Sequence, residues 1–507
     1  MKYKVGAVQI SMHQLDLEYN LKTLEKYVRM AAADGAKLLL LPETCNIGSL
    51  CTTREGVLPY AEPIPGKSTR FFSKLCVELD VAIAFGMVEH DLSNDLIYNS
   101  VAFIGRDGNV IGTYRKTHLF STETNFLVPG NTGFPVFDTE FGRIGINICE
   151  DTVHFEAARL VALQGIDVLL MSTCWVDNGP DDSWRTRAAE NGVYMICADW
   201  WNTNAEGVKY GGGSCIIDPE GNVIDELAFD DGYIVSEIDT ELVRRDDIMK
   251  GRKKSKYQWL MQDSYLWGSN GQNLPEPAVS ENIILAYRTE SIEEYLKTTS
   301  EKLGKHLKED TKLVVLPAFY ESDVPDNFIG KLQNVIPEGS DDVMVVISYK
   351  KEGAKVTCLF KKAEVLLTYH NIHQFVGEEV RESLDTFNTI DTPIGRIGLL
   401  GDADLFFPEA LRCLVRKGAD VVCVSGFWKR KQIFILNERR LFSDCALFAS
   451  CQDDDGEYAY FGAPYALKEE EANGVLQAQL DTGNEFIRNK IDIRKARIDL
   501  FEGLLAY

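Results

Sequence analysis

The sequence predicts a two-domain α/β protein produced by a tandem duplication. The chain has 507 residues, whereas a single hydrophobic core stops growing at roughly 250–300 residues. Short β-branched runs alternate with amphipathic helical stretches, which is typical of layered α/β sandwiches. A self-comparison aligns residues 142–175 with residues 395–428 at a constant offset of 253. Such self-similarity indicates an internal repeat.

Each element of the first copy follows from its own hydrophobic period and turn signals. We expect, in chain order, a strand at 5–10, a helix at 19–35, a strand at 37–41, a helix at 71–79, a strand at 81–88, a hairpin of 99–104 with 110–114, a strand at 144–148, a helix at 155–164, a strand at 168–171, a helix at 185–192, a strand at 193–198, a hairpin within 215–224 and a basic helix at 244–261. The long polar insertion at 46–67 is either a substrate-facing loop or a surface excursion.

Composition excludes several classes of function. The net charge of −24, from 77 acidic and 53 basic residues, argues against a nucleic-acid partner. The N-terminus begins at once with a strand and lacks a signal-peptide layout, and no apolar run reaches the ~20 residues of a membrane helix. We therefore expect a cytoplasmic protein with no membrane partner. The 12 cysteines are scattered without a CxxC pair, so neither a metal site nor a disulfide framework is predicted.

Cys149 lies at the point on which the first copy is organised. A β-branched strand at residues 144–148 ends there, and apolar residues at helical spacing begin at residue 157. A thiol on such a strand-to-helix turn projects from the sheet edge, close to free backbone N–H groups that favour a thiolate. A lone cysteine is more often an inert small hydrophobe, so the interpretation depends on further residues.

Two other strand ends supply those residues. The run KLLLLPET delivers Glu43 at the end of an apolar strand, and TYRKTHLF delivers Lys116 after another. A carboxylate, an ammonium and a thiol form a base, electrophile and nucleophile set. Glu43 in LPET, Lys116 in YRKTHLF and Cys149 in GINICED resemble the three signature motifs of the nitrilase superfamily of carbon–nitrogen hydrolases, in order and approximate spacing. The resemblance covers residues 1 to about 255.

The resemblance implies a four-layer αββα sandwich that pairs with a second copy. With both copies in one chain, we expect two αββα domains packed as a pseudo-dimer. The resemblance leaves open whether the chain forms further homo-oligomers. The expected boundaries are a catalytic domain at 1–265, a linker at 266–280 and a second domain at 281–507.

The resemblance also implies the chemistry. Cys149 attacks a carbonyl or nitrile carbon and forms a thioester, Glu43 transfers protons, and Lys116 holds the oxyanion. A second glutamate is expected shortly after the lysine, and Glu123 matches its place. His118 has a counterpart, His373, in the second copy, so we expect it to have a structural role. No cofactor is required.

The second copy lacks the three signature side chains. Ala318 stands at the place of Glu43, Asn371 at that of Lys116 and Asp402 at that of Cys149. Alanine takes no proton, a neutral amide cannot replace an ammonium, and a carboxylate is a poor acyl acceptor. We therefore expect the second domain to be catalytically inactive.

The substrate class is less specified. The run Cys-Glu-Asp differs from the Cys-Trp-Glu of true nitrilases and is similar to the glutaminase portions of NAD synthetases, but the chain has no SGGxDS loop. An amidase or N-carbamoyl amide hydrolase is the first interpretation, a nitrile hydrolase the second, and a non-catalytic scaffold the third. Glu150, Trp175 and Tyr210 are the predicted substrate-binding residues, the two aromatics being equally compatible with the core.

Overall fold

The computed structural model describes residues 1–48, 53–176, 178–203, 207–261, 274–375, 378, 383, 385–464, 469–471, 474–490 and 498–506. These residues form two compact units. Unit 1 comprises Met1–Lys250 with Asp499–Leu505, and unit 2 comprises Gly251–Ile498. Most of the linker predicted at 266–280 lies outside the described residues, since 262–273 are not among them.

Unit 1 alternates strands and helices, as the sequence predicts. Its strands are β1 (Lys2–Gln9), β2 (Leu38–Leu40), β3 (Ala82–Asp91), β4 (Leu96–Ile104), β5 (Val110–Arg115), β6 (Val136–Thr139), β7 (Gly142–Ile148), β8 (Val168–Ser172), β9 (Tyr194–Ala198), β10 (Trp201–Thr203), β11 (Lys209–Gly211), β12 (Cys215–Ile217), β13 (Val223–Glu226) and β14 (Gly232–Asp239). Its helices are α1 (Leu17–Ala33), α2 (Arg54–Val57), α3 (Lys67–Leu79), α4 (Phe155–Leu163), α5 (Asp182–Asn191) and α6 (Arg245–Gly251).

Twelve described strands of unit 1 form two sheets that face each other, and β10 and β11 pair separately. In the described chain the first sheet has the order β14-β1-β2-β3-β4-β5 and the second the order β13-β12-β9-β8-β7-β6. Strands β1 and β2 contact β8 and β9 across the interface between the sheets. Helices α1 and α3 pack on the first sheet, and α4 and α5 pack on the second. The predicted αββα layering is therefore confirmed.

The helices attach through apolar stripes. In α1 the residues Leu21, Leu24, Val28 and Ala31 recur at helical spacing and are all buried in one cluster with strand residues. Asp16 caps the helix by accepting from the backbone N–H of Tyr19 at 3.0 Å. The charged residues of α1 then face outward.

Unit 2 repeats this architecture. Its strands are β15 (Val279–Leu285), β16 (Thr311–Val315), β17 (Phe319–Asp323), β18 (Met344–Lys351), β19 (Ala354–Phe360), β20 (Val365–His370), β21 (Thr389–Thr392), β22 (Gly395–Leu400), β23 (Val421–Phe427), β24 (Ala446–Gln452), β25 (Glu457–Gly462), β26 (Glu469–Glu471) and β27 (Val475–Asp481). The helices of unit 2 are α7 (Ile292–His306), α8 (Phe328–Val335), α9 (Pro408–Arg416), α10 (Ile433–Phe442) and α11 (Glu485–Asn489). Helix α12 (Gly503–Ala506) follows in the chain and lies mostly in the Asp499–Leu505 segment of unit 1.

The strand orders show that the two units are copies of one fold. The sheets of unit 2 run β27-β15-β16-β18-β19-β20 and β26-β25-β24-β23-β22-β21, with β17 paired to β18 beside the first path. Each order matches the corresponding order of unit 1 strand for strand. The duplication inferred from the sequence is thus also present in the topology.

The basic helix predicted over residues 244–261 is wrong in its length. Helix α6 ends at Gly251, and two short 3₁₀ turns, Lys254–Lys256 and Gln258–Met261, follow it. Arg252 lies between α6 and the first of these turns, and its Nε donates to a carboxylate oxygen of Glu409 at 2.8 Å. This hydrogen bond favours turns over a helix that continues from α6 to residue 261.

The long insertion at 46–67 contains α2, while its residues 49–52 lie outside the described part of the chain. Within the described helices, none has both the length and the apolar character needed to span a bilayer.

Candidate active site

Cys149 directly follows β7, as the sequence predicts. It opens a 3₁₀ turn, Cys149–Thr152, and helix α4 begins three residues later. Its φ of +43° lies in the left-handed region, which non-glycine residues rarely adopt unless the surrounding structure holds them there. The residue is only 6% exposed. The thiol therefore sits on a strained turn in an enclosed site.

Asp151 holds that turn in place. Its Oδ2 accepts hydrogen bonds from the backbone N–H of Ile148 at 3.0 Å and from the hydroxyl of Tyr114 at 2.7 Å. Its Oδ1 accepts the backbone N–H of His118 at 3.0 Å and lies 2.8 Å from the ring Nδ1 of the same residue. His118 thus links the end of β5 to the turn, which is the structural role that the sequence predicts for it.

Glu43 and Lys116 meet at the carboxyl ends of their strands. Lys116 Nζ donates to Glu43 Oε1 at 2.8 Å and to Glu123 Oε2 at 2.7 Å. The side chains of Glu43 and Lys116 are each 1% exposed, and that of Glu123 is 18% exposed. The structure therefore brings three of the four predicted catalytic residues into one ion-pair network.

The charges in this network determine the pKa values of Lys116 and Glu123. Burial by itself lowers the pKa of Lys116, but the carboxylates of Glu123 and Glu43 outweigh it and hold that pKa well above its ordinary value. Burial raises the pKa of Glu123, opposed by Lys116. The lysine is consequently a fixed cation at neutral pH.

The thiol of Cys149 completes the cluster. The Sγ atoms of Cys149 and Cys174 and a carboxylate oxygen of Glu43 all lie within 4.8 Å of one another. Thiolates and carboxylates can ligate divalent metals, but the Lys116 ammonium on the same carboxylate opposes a second cation. The arrangement suits nucleophile and base chemistry better than a metal centre.

Cys174 is a residue that sequence reasoning treats only as one of the scattered cysteines. It follows β8, the parallel neighbour of β7, and its Sγ donates to Glu43 Oε2 at 3.0 Å. Its hydrogen bond with Cys149, burial and the charge of Glu43 raise its pKa well above the ordinary value. Its position after the strand adjacent to β7 was the available signal.

Asn99 is the second residue that the sequence did not single out. Its Nδ2 donates to Glu43 Oε1 at 2.6 Å and to Glu123 Oε1 at 2.8 Å. Lys116 is placed beside it by a backbone hydrogen bond to the Asn99 carbonyl at 2.8 Å. Only the pairing of β4 with β5 shows this proximity.

The predicted substrate-binding residues are buried around this cluster. Glu150 follows Cys149 and is 7% exposed, and Trp175 follows Cys174 and is 8% exposed. Tyr210 lies on the wall of a cavity of about 350 Å³ that also includes Gly48 and Trp200. The indole N–H of Trp200 donates to the Glu43 carbonyl at 2.6 Å, which connects this cavity to the cluster.

Comparison with known proteins identifies the family. The model of the carbon-nitrogen hydrolase family matches residues 4–247 and 342–462, which together make up more than half of the chain. This chain belongs to the carbon-nitrogen hydrolase family. As a member of that family it is an enzyme, and the scaffold interpretation is set aside.

Curated relatives of this hydrolase each match about half of it. A nitrilase of Pyrococcus abyssi is 36% identical over 262 residues, which are 50% of this chain and 98% of the relative. An N-carbamoylputrescine amidase of Oryza sativa is 30% identical over 51% of this chain and 95% of its own length. The human omega-amidase NIT2 is 29% identical over 47% and 88%.

A solved structure is similar over the same extent. The crystal structure of Saccharomyces cerevisiae Nit3, of the nitrilase superfamily, has 29% identity and a TM-score of 0.44, covering 48% of this chain and 92% of that one.

Proposed function

We propose that unit 1 hydrolyses the carbon–nitrogen bond of a small-molecule amide or N-carbamoyl amide through a thioester on Cys149. The observation that carries the proposal is the enclosed cluster in which the Cys149 thiol, the Glu43 carboxylate and the Lys116 ammonium converge. Residues 1–265 hold this chemistry in the proposal. Residues 281–507 do not, because Ala318 and Asp402 replace the base and the nucleophile.

Glu43 acts as the general base and acid in this proposal. It accepts the proton of the Cys149 thiol as the sulfur attacks the acyl carbon, and then passes the proton to the departing nitrogen. The acyl group remains on sulfur while ammonia or an amine leaves. Glu43 next takes a proton from water, whose oxygen attacks the thioester. The carbon–sulfur bond breaks, the carboxylic acid is released, and Glu43 returns the proton to the Cys149 sulfur.

Lys116 provides the electrostatic stabilisation. Its ammonium and the backbone N–H of Glu150 stabilise the oxygen that becomes negative in the tetrahedral intermediate. Glu123 and Asn99 are positioning residues, because their hydrogen bonds to Lys116 and Glu43 fix both side chains. Preorganised groups of this kind cost no reorganisation during the reaction.

The substrate is expected to contact Glu150, Trp175 and Tyr210. The indole N–H of Trp175 is buried and has no hydrogen-bond partner among the described residues, so it is an available donor for a substrate oxygen. Tyr210 packs against Trp200 with ring centroids 4.9 Å apart and offers an aromatic wall. These features suit a small molecule with an amide group and an apolar portion.

The amide class is supported by names among the relatives, which include omega-amidases and N-carbamoylputrescine amidases. A nitrile hydrolase is the second candidate, because the Pyrococcus abyssi relative is named a nitrilase. The two candidates differ in their substrates but share the thioester.

The test is a mass-spectrometric screen of small amides, carbamoyl compounds and nitriles for ammonia or amine release. On the substrate found, we expect Cys149→Ser to lose more than about 95% of the activity while the fold is retained. Cys174→Ser is the matched control, since serine still donates to Glu43. A Cys149→Ser variant that keeps substantial activity, with the far-UV circular dichroism of the parent, would refute the assignment of the nucleophile.

A further inference from the structure

Unit 2 contains a cavity of about 780 Å³ at the place that corresponds to the active site of unit 1. Tyr320, Lys355, Asn371 and Glu378 line it, among others. Small-molecule sites usually have volumes of about 300–1,000 Å³. The cavity is therefore large enough for a small organic ligand.

The polar residues of this cavity are rearranged counterparts of the catalytic network. In unit 1 the backbone N–H of Lys116 donates to the Asn99 carbonyl, and in unit 2 that of Asn371 donates to the Lys355 carbonyl at 3.0 Å. Lysine and asparagine have thus exchanged places between neighbouring strands. An ammonium is therefore present in unit 2, although it comes from β19 and not from the residue after β20.

The second glutamate also has a counterpart. Glu123 Oε2 accepts the backbone N–H of Phe120 at 2.7 Å, and Glu378 Oε2 accepts that of Phe375 at 3.0 Å. Lys355 Nζ donates to Glu378 Oε1 at 2.9 Å. Sequence comparison at the three signature positions missed this pair, because it examined only the place of Lys116.

Asp402 prevents acyl transfer in unit 2. Its carboxylate accepts the backbone N–H of Ala403 at 2.8 Å and that of Phe427 at 3.1 Å, and it lies 3.1 Å from Lys355 Nζ. The N–H that follows the nucleophile position is therefore occupied by the side chain of Asp402 itself. A ligand in this cavity meets neither a thiol nor a free oxyanion site.

Two glycines make room for these side chains. A Cβ on Gly426 would lie 2.6 Å from Asp402 Cβ, and a Cβ on Gly401 would lie 1.7 Å from Asn371 Nδ2. The corresponding residues of unit 1 are Thr173 and Ile148. The replacements in unit 2 are therefore mutually compatible, because the glycines leave space for Asp402 and Asn371.

Asn371 supplies a donor with no partner. Its side chain is 5% exposed, and its Oδ1 accepts from the Thr357 hydroxyl at 3.2 Å. Its Nδ2 has no hydrogen-bond partner within the described residues. An unpaired buried donor is unfavourable. Asn371 lines the cavity, so a ligand oxygen that reaches this nitrogen would relieve that cost.

We propose that unit 2 binds a small carboxamide or carboxylate in this cavity without hydrolysing it. A ligand oxygen accepts from Asn371 Nδ2 and from Lys355 Nζ, and the apolar part of the ligand packs against Tyr320 and Phe427. The proposal does not depend on the catalytic assignments in unit 1, because its residues all belong to unit 2.

The experiment measures binding of butyramide and butyrate to the full chain by saturation-transfer NMR. Cys149 is first alkylated with iodoacetamide to obstruct the unit 1 site, and mass spectrometry confirms the modification. We expect at least one probe to bind the alkylated protein. Asn371→Leu and Lys355→Met should each weaken that binding by at least about tenfold, since each removes a buried hydrogen bond to the ligand.

Lys312→Met, which changes an exposed lysine on β16 of the same unit, is the matched control and should alter affinity by less than twofold. If Lys355→Met fails to fold because Asp402 and Glu378 lose their cation, Asn371→Leu decides alone. The proposal is overturned if neither probe binds the alkylated chain, or if binding to folded Asn371→Leu is undiminished.

Discussion

At the scale of single residues, the site depends on a few buried polar contacts. Asp151 fixes the position of the turn that begins at Cys149, because it binds the strand before the turn and the loop that contains His118. Unit 2 has the same frame, since Asp404 accepts from the backbone N–H groups of Gly401 and His373. A frame found in both units belongs to the fold of the turn and not to the chemistry performed on it.

Lys116 is expected to act mainly on the transition state. Lys116→Met should reduce kcat by about 10²–10³ and change KM less, because the ammonium is needed where negative charge develops. Steady-state kinetics on the substrate found in the screen measures the split. The raised pKa of Lys116 means that the wild-type ammonium persists through neutral pH.

Lys22→Met is the control for that variant, because Lys22 is exposed on α1 and should leave both constants unchanged. Removal of Lys116 also leaves two carboxylates without their cation, so thermal unfolding must show a folded variant. An unchanged kcat with a raised KM would mean that Lys116 only binds substrate.

At the scale of elements, the convergence of strand ends builds the site. Glu43 follows β2, Lys116 follows β5 and Cys149 follows β7, so two facing sheets contribute to one cluster. Glu43 is anchored across the sheets, because its backbone N–H donates to the Thr173 carbonyl at 3.3 Å. The spacing between sheets therefore sets the distance between base and nucleophile.

Gly86 on β3, the strand paired with β2, leaves no space for a side chain beside the Glu43 backbone. A Cβ there would lie 2.5 Å from Glu43 Cα and 2.6 Å from the Pro42 carbonyl. Gly86→Ala should therefore displace the Glu43 backbone and reduce kcat/KM by about tenfold or more, since a misplacement of ~1 Å can cost 10²-fold. Kinetics together with thermal unfolding measures the effect.

Gly304→Ala is the matched control. Gly304 lies in helix α7, and a Cβ there meets nothing within 4 Å. Alanine is favoured over glycine in a helix by roughly 0.5–1 kcal/mol, so this variant should be equal or slightly more stable and fully active. Wild-type kinetics in Gly86→Ala would show that the strand tolerates the shift.

At the scale of the whole molecule, the end of the chain belongs to the fold of its beginning. Asp499–Leu505 is part of unit 1, and the ring of Phe501 lies 6.1 Å from that of His118, centroid to centroid. Phe501 is fully buried. Unit 1 is therefore completed by residues that follow unit 2 in the sequence.

Phe501→Ala should destabilise unit 1 by about 3–5 kcal/mol, as expected for truncation of a buried phenylalanine. Because a two-unit chain need not unfold in one step, hydrogen–deuterium exchange is the measurement, with faster exchange expected around His118. The exposed neighbour Glu502 provides the control, Glu502→Ala. Unaltered exchange around His118 in Phe501→Ala would contradict the structural role of the C-terminal segment.

The sequence by itself determined the repeated architecture and the chemical types in the first copy. The β-branched strands, the amphipathic helices and the repeat offset are local or periodic patterns, which can be recognised without knowledge of the fold. The motifs around Glu43, Lys116 and Cys149 likewise indicated the family, which the comparison confirms.

Only the tertiary structure decided which other residues join them. Asn99, Cys174 and Lys355 lie far in sequence from the groups they contact, and no local pattern shows which distant groups those are. The end of helix α6 was predicted wrongly for a similar reason. The contact of Arg252 with Glu409, which is distant in sequence, outweighs the local helical propensity. Strand pairing and sheet packing bring distant residues together, and these long-range contacts are what periodicity does not encode.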